Sequence, residues 1–504
     1  MTRPLALLQT VPLPPLTQPT IVGVALVYFA VVAAIGVWAS RRTRSASDFF
    51  VAGQGIGLWP LAIAAMAATL SGFAFIGGPG LVYTLGVGAL FLVLPASLTN
   101  TLGAWVLAKR MRLLAEVRPM ITVPDAIGAR FQSPAAQGLA AVAILIAVVG
   151  YMATNVLALG LVIDAIFGIG LGPGIWAGTA ITLAYSVGGG ILAGIYTDLF
   201  QGALMALASV LVFLYTLSVG GGAEAMSRSI LAVDPAWLGP FGKLPPVAAL
   251  SFFFVFGVGS LGQPHVVHKF YMLRDPRRLR WYPMIMTCAL TVALLLYFGV
   301  GFAMRALVAN GTVPPLTRAD DATPLFLLRH TPVLLAALVF SGVSAAIMST
   351  VNSFMSIGAA ALTHDLPTAF GRAVTDELRW GRIWTVVLSV VAALVAQASG
   401  SLVAFLGIFG WGLFASTLVP ALAIGLNWTG ATRAGAIASI ATGLVTTLCL
   451  ESFGYLRLFS LPTGVTVSGL ALVGSLLVFL LVSWLTRGTA EATLARDIRL
   501  VMEV

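Results

Sequence analysis

Apolar runs long enough to cross a lipid bilayer recur about thirteen times in this chain, and nothing else in the sequence narrows its fold so far. A helix needs about 18 to 20 mostly apolar residues to span the roughly 30 Å hydrocarbon layer. Runs of that kind fall near 20–40, 57–85, 87–108, 136–167, 172–190, 192–219, 247–272, 283–307, 334–362, 382–399, 402–426, 431–452 and 464–486. Hydrophobic residues make up 59% of the chain and charged residues only 9%, which excludes an ordinary soluble domain. A membrane barrel would show short alternating strands instead. The expected fold class is an all-α polytopic membrane protein organised as a single transmembrane domain over 1–504. The longer loops near 220–246 and 308–333 have room for short helices but not for a core of their own. The opening segment MTRPLALLQTVPLPPLTQPT has only a short, Pro-interrupted apolar piece, so no signal peptide is expected.

The net charge of +10 could point to nucleic acid, but its distribution argues against that partner. Arg41, Arg42 and Arg44, then Lys109, Arg110, Arg112 and Arg118, then Arg274, Arg277, Arg278 and Arg280 occupy alternate loops. With Arg372, Arg379, Arg382, Arg433 and the tail from Arg487, they all fall on one side of the bilayer. The positive-inside rule reads that side as cytoplasm, which puts the N-terminus outside and the C-terminus in the cytoplasm of a cell (inner or plasma) membrane. Cys288 and Cys449 sit within spans, so neither a disulfide framework nor a zinc site is supported. No phosphate-cradling GxxxxGK[ST] is present, and no nucleophile–base pair or metal cluster is visible, so the chain is not expected to be an enzyme.

Two spans carry helix-breaking residues at mid-membrane depth. AAMAATLSGFAFIGGPG, residues 64–80, holds several glycines and a proline, and FFFVFGVGSLGQPH, residues 252–265, places Gly257, Gly259, Gly262 and Pro264 likewise. Counted from 57–85, the second defect lies in core span six, and an odd offset of spans inverts the second copy. Paired interruptions in inverted halves mark the binding region of secondary transporters. The halves are 57–219 and 247–426, with 20–40 and 431–486 peripheral. Unwound backbone at this depth persists only where protein or a polar cavity satisfies it. Close helix packing is the plainer reason for glycines in membrane helices.

Core span eight, SGVSAAIMSTVNSFMSIGAAALTHD at 341–365, places Ala346, Ser349, Thr350 and Ser353 on one helix face. Hydroxyl and carbonyl oxygens suit a hard cation such as sodium; such hydroxyls also bond to their own helix backbone. Asp198, in SVGGGILAGIYTDLFQG, lies near the start of core span five, where an acidic group is either functional or an interfacial cap. His265 reads as a hydrogen-bonded structural histidine, and Asp164, Asp320, Asp321 and Glu451 as outer-surface residues. No Arg or Lys is expected mid-span.

These residues carry a resemblance. DFFVAG at 48–53, SGFAFIGGPG at 71–80, TVPDAIGARF at 122–131, GGILAGIYTDLFQG at 189–202, GQPHVVHKF at 262–270 and AAIMSTVNS at 345–353 make the chain similar to the sodium:solute symporter family. That resemblance implies a leucine-transporter-type inverted-repeat fold with thirteen spans and discontinuous core helices 1 and 6. It implies a sodium ion held by carbonyls of Ala67, Leu70 and Ala346 with the hydroxyls of Ser349 and Thr350. It also relates Asp198, with Asn352 and Ser353 as neighbours, to an inner ion path or second ion site. The chain departs from some amino-acid carriers at Thr69, where they have Asp, and from the proline branch at Phe256 and Ser260, where aromatic residues are usual. The motifs look more like the amino-acid, pantothenate and monocarboxylate branches than the sugar branch, and proline itself is not the expected solute.

The expected function is sodium-coupled symport of a small carboxylate or amino acid by alternating access, with the solute, Na+ and the lipid bilayer as partners. Depth and polarity select Thr69, Ser71, Phe73, Asn155, Phe256, Ser260, Gln263 and Trp411 as solute contacts. A proton-coupled symporter, and a sensor of the same fold acting through a separate partner, are the alternatives.

Overall fold

A computed structural model describes residues 18–399, 403–459, 461–490 and 494–503. The opening segment up to residue 17 thus lies outside the described residues, and with it most of the stretch read for a signal peptide. Among the described residues the regular structure is helical, apart from a parallel bridge between Ile56 and Leu273. Ten helices there are long and apolar enough to cross a membrane, or eleven if the bent pair Pro246–Gly262 and Pro264–Met272 is taken as one span.

In chain order, α1 (Pro19–Ser40) precedes the short α2 (Leu58–Thr69), after which Phe73–Gly77 leads into α3 (Gly78–Leu85) and α4 (Leu90–Gly103). Then come α5 (Val123–Phe131), α6 (Pro134–Phe167) and α7 (Leu171–Val219). The two longer loops hold α8 (Ala223–Val233) and α12 (Ala322–His330). Between them lie α9 (Pro246–Val258), α10 (Pro264–Val267) and α11 (Tyr282–Ala309). The chain closes with α13 (Val333–Ala360), α14 (Glu377–Ser399), α15 (Val403–Val419), α16 (Arg433–Tyr455) and α17 (Val467–Leu485).

Local chemistry explains the punctuation. α5 starts on a capping box in which Thr122 accepts from the Asp125 N–H while the Asp125 side chain accepts from the Thr122 N–H. α7 is 49 residues long, which at 1.5 Å per residue is about twice the thickness of a bilayer core. It turns at Gly190, whose φ of 52° and ψ of −142° suit only glycine; a Cβ there would sit 2.5 Å from the Phe49 carbonyl oxygen. α2 stops where Leu70 takes φ −86° and ψ 88°. Past α9 a tight turn through Gly259–Gly262 leads to extended Gln263, as expected of a residue before proline, and the axis bends by 41°.

Helices α6, α13 and α15 are the most enclosed, whereas α1, α16 and α17 leave much of their surface uncovered. The enclosed set surrounds both interruptions. Cys288 and Cys449 are free and exposed.

Candidate solute and cation site

The end of α2 is where polar backbone comes free. The last four carbonyls of a helix have no partner within it. Here the Leu70 N–H still bonds to Met66 O, but the Ala74 and Phe75 N–H groups both turn to Ser71 O, at 2.9 and 3.2 Å. The carbonyls from Ala67 to Leu70 therefore lie beyond the helical ladder. Helix α6 holds the opened segment from the side. Asn155 Oδ1 accepts from the Gly72 N–H at 2.8 Å, while Asn155 Nδ2 donates to Tyr151 O at 2.8 Å. Ser71 Oγ lies 3.3 Å from the Tyr151 hydroxyl and accepts from the Phe73 N–H at 3.2 Å. Asn155 and Ser71 are thus brought to the break as braces. Tyr151, one turn before Asn155, joins them without having been picked out from the sequence.

Thr350 on α13 connects the two helices. Its hydroxyl lies 3.1 Å from both Ala68 O and Ala346 O, in position to donate to either. Ala67, Leu70, Ala346, Ser349 and Thr350 are all buried. The carbonyl that Thr350 reaches is that of Ala68, one residue along from the expected Ala67. Ser349 is placed differently from Thr350: it faces the Asp198 carboxyl, and its buried oxygen has no hydrogen-bond partner of normal geometry among the described residues.

Beside this junction lies a small cavity of about 40 Å³, walled by Thr69, Phe73, Phe256 and Trp411 together with Tyr151, Ser97, Tyr297 and aliphatic side chains. Phe73 stacks on Phe256 at 5.8 Å and Phe256 on Trp411 at 5.2 Å, so α9, α15 and the opened segment meet through three near-parallel rings. The described residues that line it include no charged side chain. Two expected solute contacts serve the scaffold instead. Gln263 Nε2 lies 3.0 Å from Gly259 O and 3.3 Å from Trp411 O, and Ser260 Oγ lies 2.8 Å from Gly257 O and 3.1 Å from Thr99 Oγ1. Both fill turn positions where the backbone needs partners, and neither lines the cavity. Tyr297, buried with an unpartnered hydroxyl, lines it from α11; its sequence surroundings are wholly apolar and carried no signal.

Asp198 lies about two turns past the break at Gly190 and is fully buried, so it is not an interfacial cap. Facing it is Lys269, also fully buried, with Nζ 3.4 Å from Asp198 Oδ2 and 3.3 Å from Ser353 Oγ. The expectation that no basic residue would sit mid-span is therefore wrong. Lys269 stands within the quoted GQPHVVHKF, just ahead of the basic loop at 274–280, and its nearness to that loop disguised it. Asn352 is fully buried nearby, its Nδ2 3.5 Å from Gly190 O and its Oδ1 without a hydrogen-bond partner among the described residues.

Three further expectations need correction. His265 is buried, but neither ring nitrogen has a hydrogen-bond partner among the described residues; it packs against Phe354, ring centres 4.6 Å apart, and Tyr151. Asp320 is a buried residue, not a surface one, and accepts from the Val403 N–H at 2.8 Å where α15 starts. Burial pushes its carboxyl up to about 6. A group able to ligate metal does exist: Asp125, His364 and Asp365 bring donor atoms within 4.8 Å of one another. His364 lies 3.1 Å from Asp125 and 3.0 Å from Glu377, so distant segments meet in a cluster that no local spacing announces.

Enclosed helices, an opened helix end and a mid-bundle cavity define a multi-pass membrane transporter. The family model described as the sodium:solute symporter family matches residues 49–443, and the chain belongs to that family. It is a sodium-coupled symporter of a small solute, and sodium is its coupling ion. The osmoregulated proline transporter OpuE of Bacillus subtilis is 29% identical over 482 residues, covering 93% of this chain and 95% of that one. The sodium/proline symporter of Escherichia coli is 29% identical over 464 residues, covering 87% and 89%. Among solved structures, the substrate-bound outward-open state of a Na+-coupled sialic acid symporter superposes with a TM-score of 0.76 at 18% identity, covering 92% of this chain and 98% of that one. Its structural neighbours are leucine-transporter-type carriers, which places the fold.

Proposed function

We propose that the chain imports a small carboxylate or amino acid together with sodium, both bound beside the opened end of α2. The observation that carries this reading is the Thr350 hydroxyl, which lies 3.1 Å from Ala68 O and from Ala346 O, at the junction where one helix has ended and another passes unbroken. Freed carbonyls of Ala67 and Leu70, the helical carbonyl of Ala346 and the hydroxyls of Ser349 and Thr350 form a set of hard oxygen ligands for sodium. Thr69, Phe73, Phe256 and Trp411 contact the solute in the cavity beside it, while Ser71, Asn155, Ser260 and Gln263 brace the backbone around that cavity. The charged end of the solute meets the dipoles of the opened segment and its neighbouring hydroxyls rather than a basic side chain, since the described lining of the cavity carries no charged group. Proline, which the names of two relatives specify, is the first solute to test despite the departures at Phe256 and Ser260.

The finer architecture follows the same reading. The turn at Gly190 divides α7 into two crossings, α2 and α3 form one interrupted crossing, and α9 with α10 forms another. Counted so, the chain has thirteen spans in two inverted repeats, 57–219 and 247–426. The basic loops put the N-terminus outside and the C-terminus in the cytoplasm. Rocking of the repeats exposes the site alternately to each side. Each charge carried inward across 100 mV supplies about 2.3 kcal/mol.

Uptake of labelled proline, and then of other amino acids and monocarboxylates, into proteoliposomes with and without a sodium gradient tests the proposal. Gradient-dependent uptake, lost in Ser349→Ala and Thr350→Ala, is expected. Uptake indifferent to sodium and to both substitutions would refute it, and uptake driven by a pH gradient alone would replace sodium with protons.

A further inference from the structure

The pairing of Asp198 with Lys269 is not explained by the proposed sodium site. Both side chains are about 1% exposed, deep in a membrane bundle where ionisable groups are rare and costly. A buried carboxyl group stays ionised only where a counter-charge or hydrogen bonds compensate it, and removing one member of such a pair leaves the other uncompensated. The acceptors around Lys269 Nζ are a carboxylate oxygen at 3.4 Å and the Ser353 hydroxyl oxygen at 3.3 Å. They are the hard oxygen ligands a sodium ion would take at this place. Nearby acceptors point the same way: Asp198 Oδ1, and Asn352 Oδ1 on the same stretch of α13 as Ser353, are buried without partners of normal geometry among the described residues. The pocket is built for positive charge, and a side chain supplies it.

We propose that the Lys269 ammonium is a tethered cation that fills the second cation position beside Asp198, so that the chain binds one sodium ion and not two. The inference rests on the sodium site proposed above. Coulomb repulsion between an ammonium and a metal ion sharing one carboxylate keeps a second ion out. Because Lys269 follows α10 on the segment beyond the second interruption, its charge belongs to the same broken helix that carries Phe256. Unlike a bound ion, it is not released to the cytoplasm.

The test needs no knowledge of the solute. Radioactive sodium bound at saturation by the purified full-length protein is counted per chain, with choline chloride holding ionic strength. Wild type is expected to bind one ion, Lys269→Gln two, and Lys269→Gln combined with Asp198→Asn one again. Two ions in the wild type, or one in a folded Lys269→Gln variant, would overturn the tethered cation. Loss of sodium binding in Thr350→Ala concerns only the first site, so the two readings fail separately. Should Lys269→Gln be unstable, sodium chloride is expected to restore its melting temperature to within a few degrees of wild type. Equal rescue by choline chloride, or none by either salt, overturns the proposal.

Discussion

Replacing Asn155 with leucine tests whether the opened segment after α2 is held by α6 or stands on its own. The two side chains have similar volume, so Asn155→Leu creates little cavity while removing both polar ends. The loss that matters is the acceptor 2.8 Å from the Gly72 N–H, which is left buried without a partner. An orphaned buried donor costs about 1–3 kcal/mol. The matching donor, Asn155 Nδ2 on Tyr151 O, matters less because that carbonyl belongs to a helix and can bond along it. At 1.4 kcal/mol per factor of ten, the cost corresponds to about 5- to 150-fold in any equilibrium requiring the opened segment. Sodium binding is such an equilibrium if the carbonyls of Ala67 and Leu70 ligate the ion. The assay is a sodium titration of the melting temperature of purified protein, since a ligand stabilises the state it binds. The midpoint is expected to move to higher sodium by a factor in that range. A variant that melts like wild type with an unchanged sodium midpoint would show that α6 does not position the break, and the proposed ion site would lose its structural basis.

Other outcomes follow from single contacts. Asp320 sits in the loop between α11 and α12, its carboxyl pushed up from 3.8 to about 6 by burial. The folded protein thus holds that proton more tightly than the unfolded chain does. This contribution is fully present below about pH 4 and is lost as pH rises through about 6, a change of about 3 kcal/mol at 1.36 kcal/mol per pH unit. Melting temperatures across pH 4 to 7 should show this slope, and Asp320→Asn should flatten it; an equally steep slope in the variant excludes Asp320 as its source. Tyr297→Phe removes a hydroxyl that has no hydrogen-bond partner among the described residues. Stability should stay within about 0.5 kcal/mol while solute affinity falls by about 2- to 10-fold; a loss of stability with affinity intact would assign Tyr297 to packing. Gly190→Ala forces a side chain into a glycine-only conformation against Phe49 and should cost about 1–3 kcal/mol in stability, read as a lower melting temperature. An unchanged melting temperature would mean that the turn tolerates other conformations.

Some of this molecule is written in short stretches of chain. Apolar length sets which segments cross lipid, and the glycines at 72, 77, 78 and 80 stand where α2 has just ended. Hydroxyl spacing on α13 picked out Thr350, and stacking rings at Phe73, Phe256 and Trp411 came from depth and residue type. Gln263 and Ser260, read as solute contacts, bond to the backbone of the bend, because polarity at mid-depth serves a turn as readily as a ligand. Tyr297 was invisible for the opposite reason, being one aromatic residue on an apolar helix.

Sequence alone determined that the chain is helical, that it lives in a membrane, and which stretches depart from regular helix, because bilayer thickness and backbone hydrogen bonding act on each segment by itself. Tertiary structure decided which groups meet: Gly72 with Asn155, Thr350 with Ala68, Lys269 with Asp198. In lipid, both the inner and outer faces of a helix are apolar, so hydropathy carries little record of how each helix is rotated about its axis. That rotation is set by packing against neighbours, and it alone brings an ammonium to a carboxylate or a hydroxyl to a freed carbonyl.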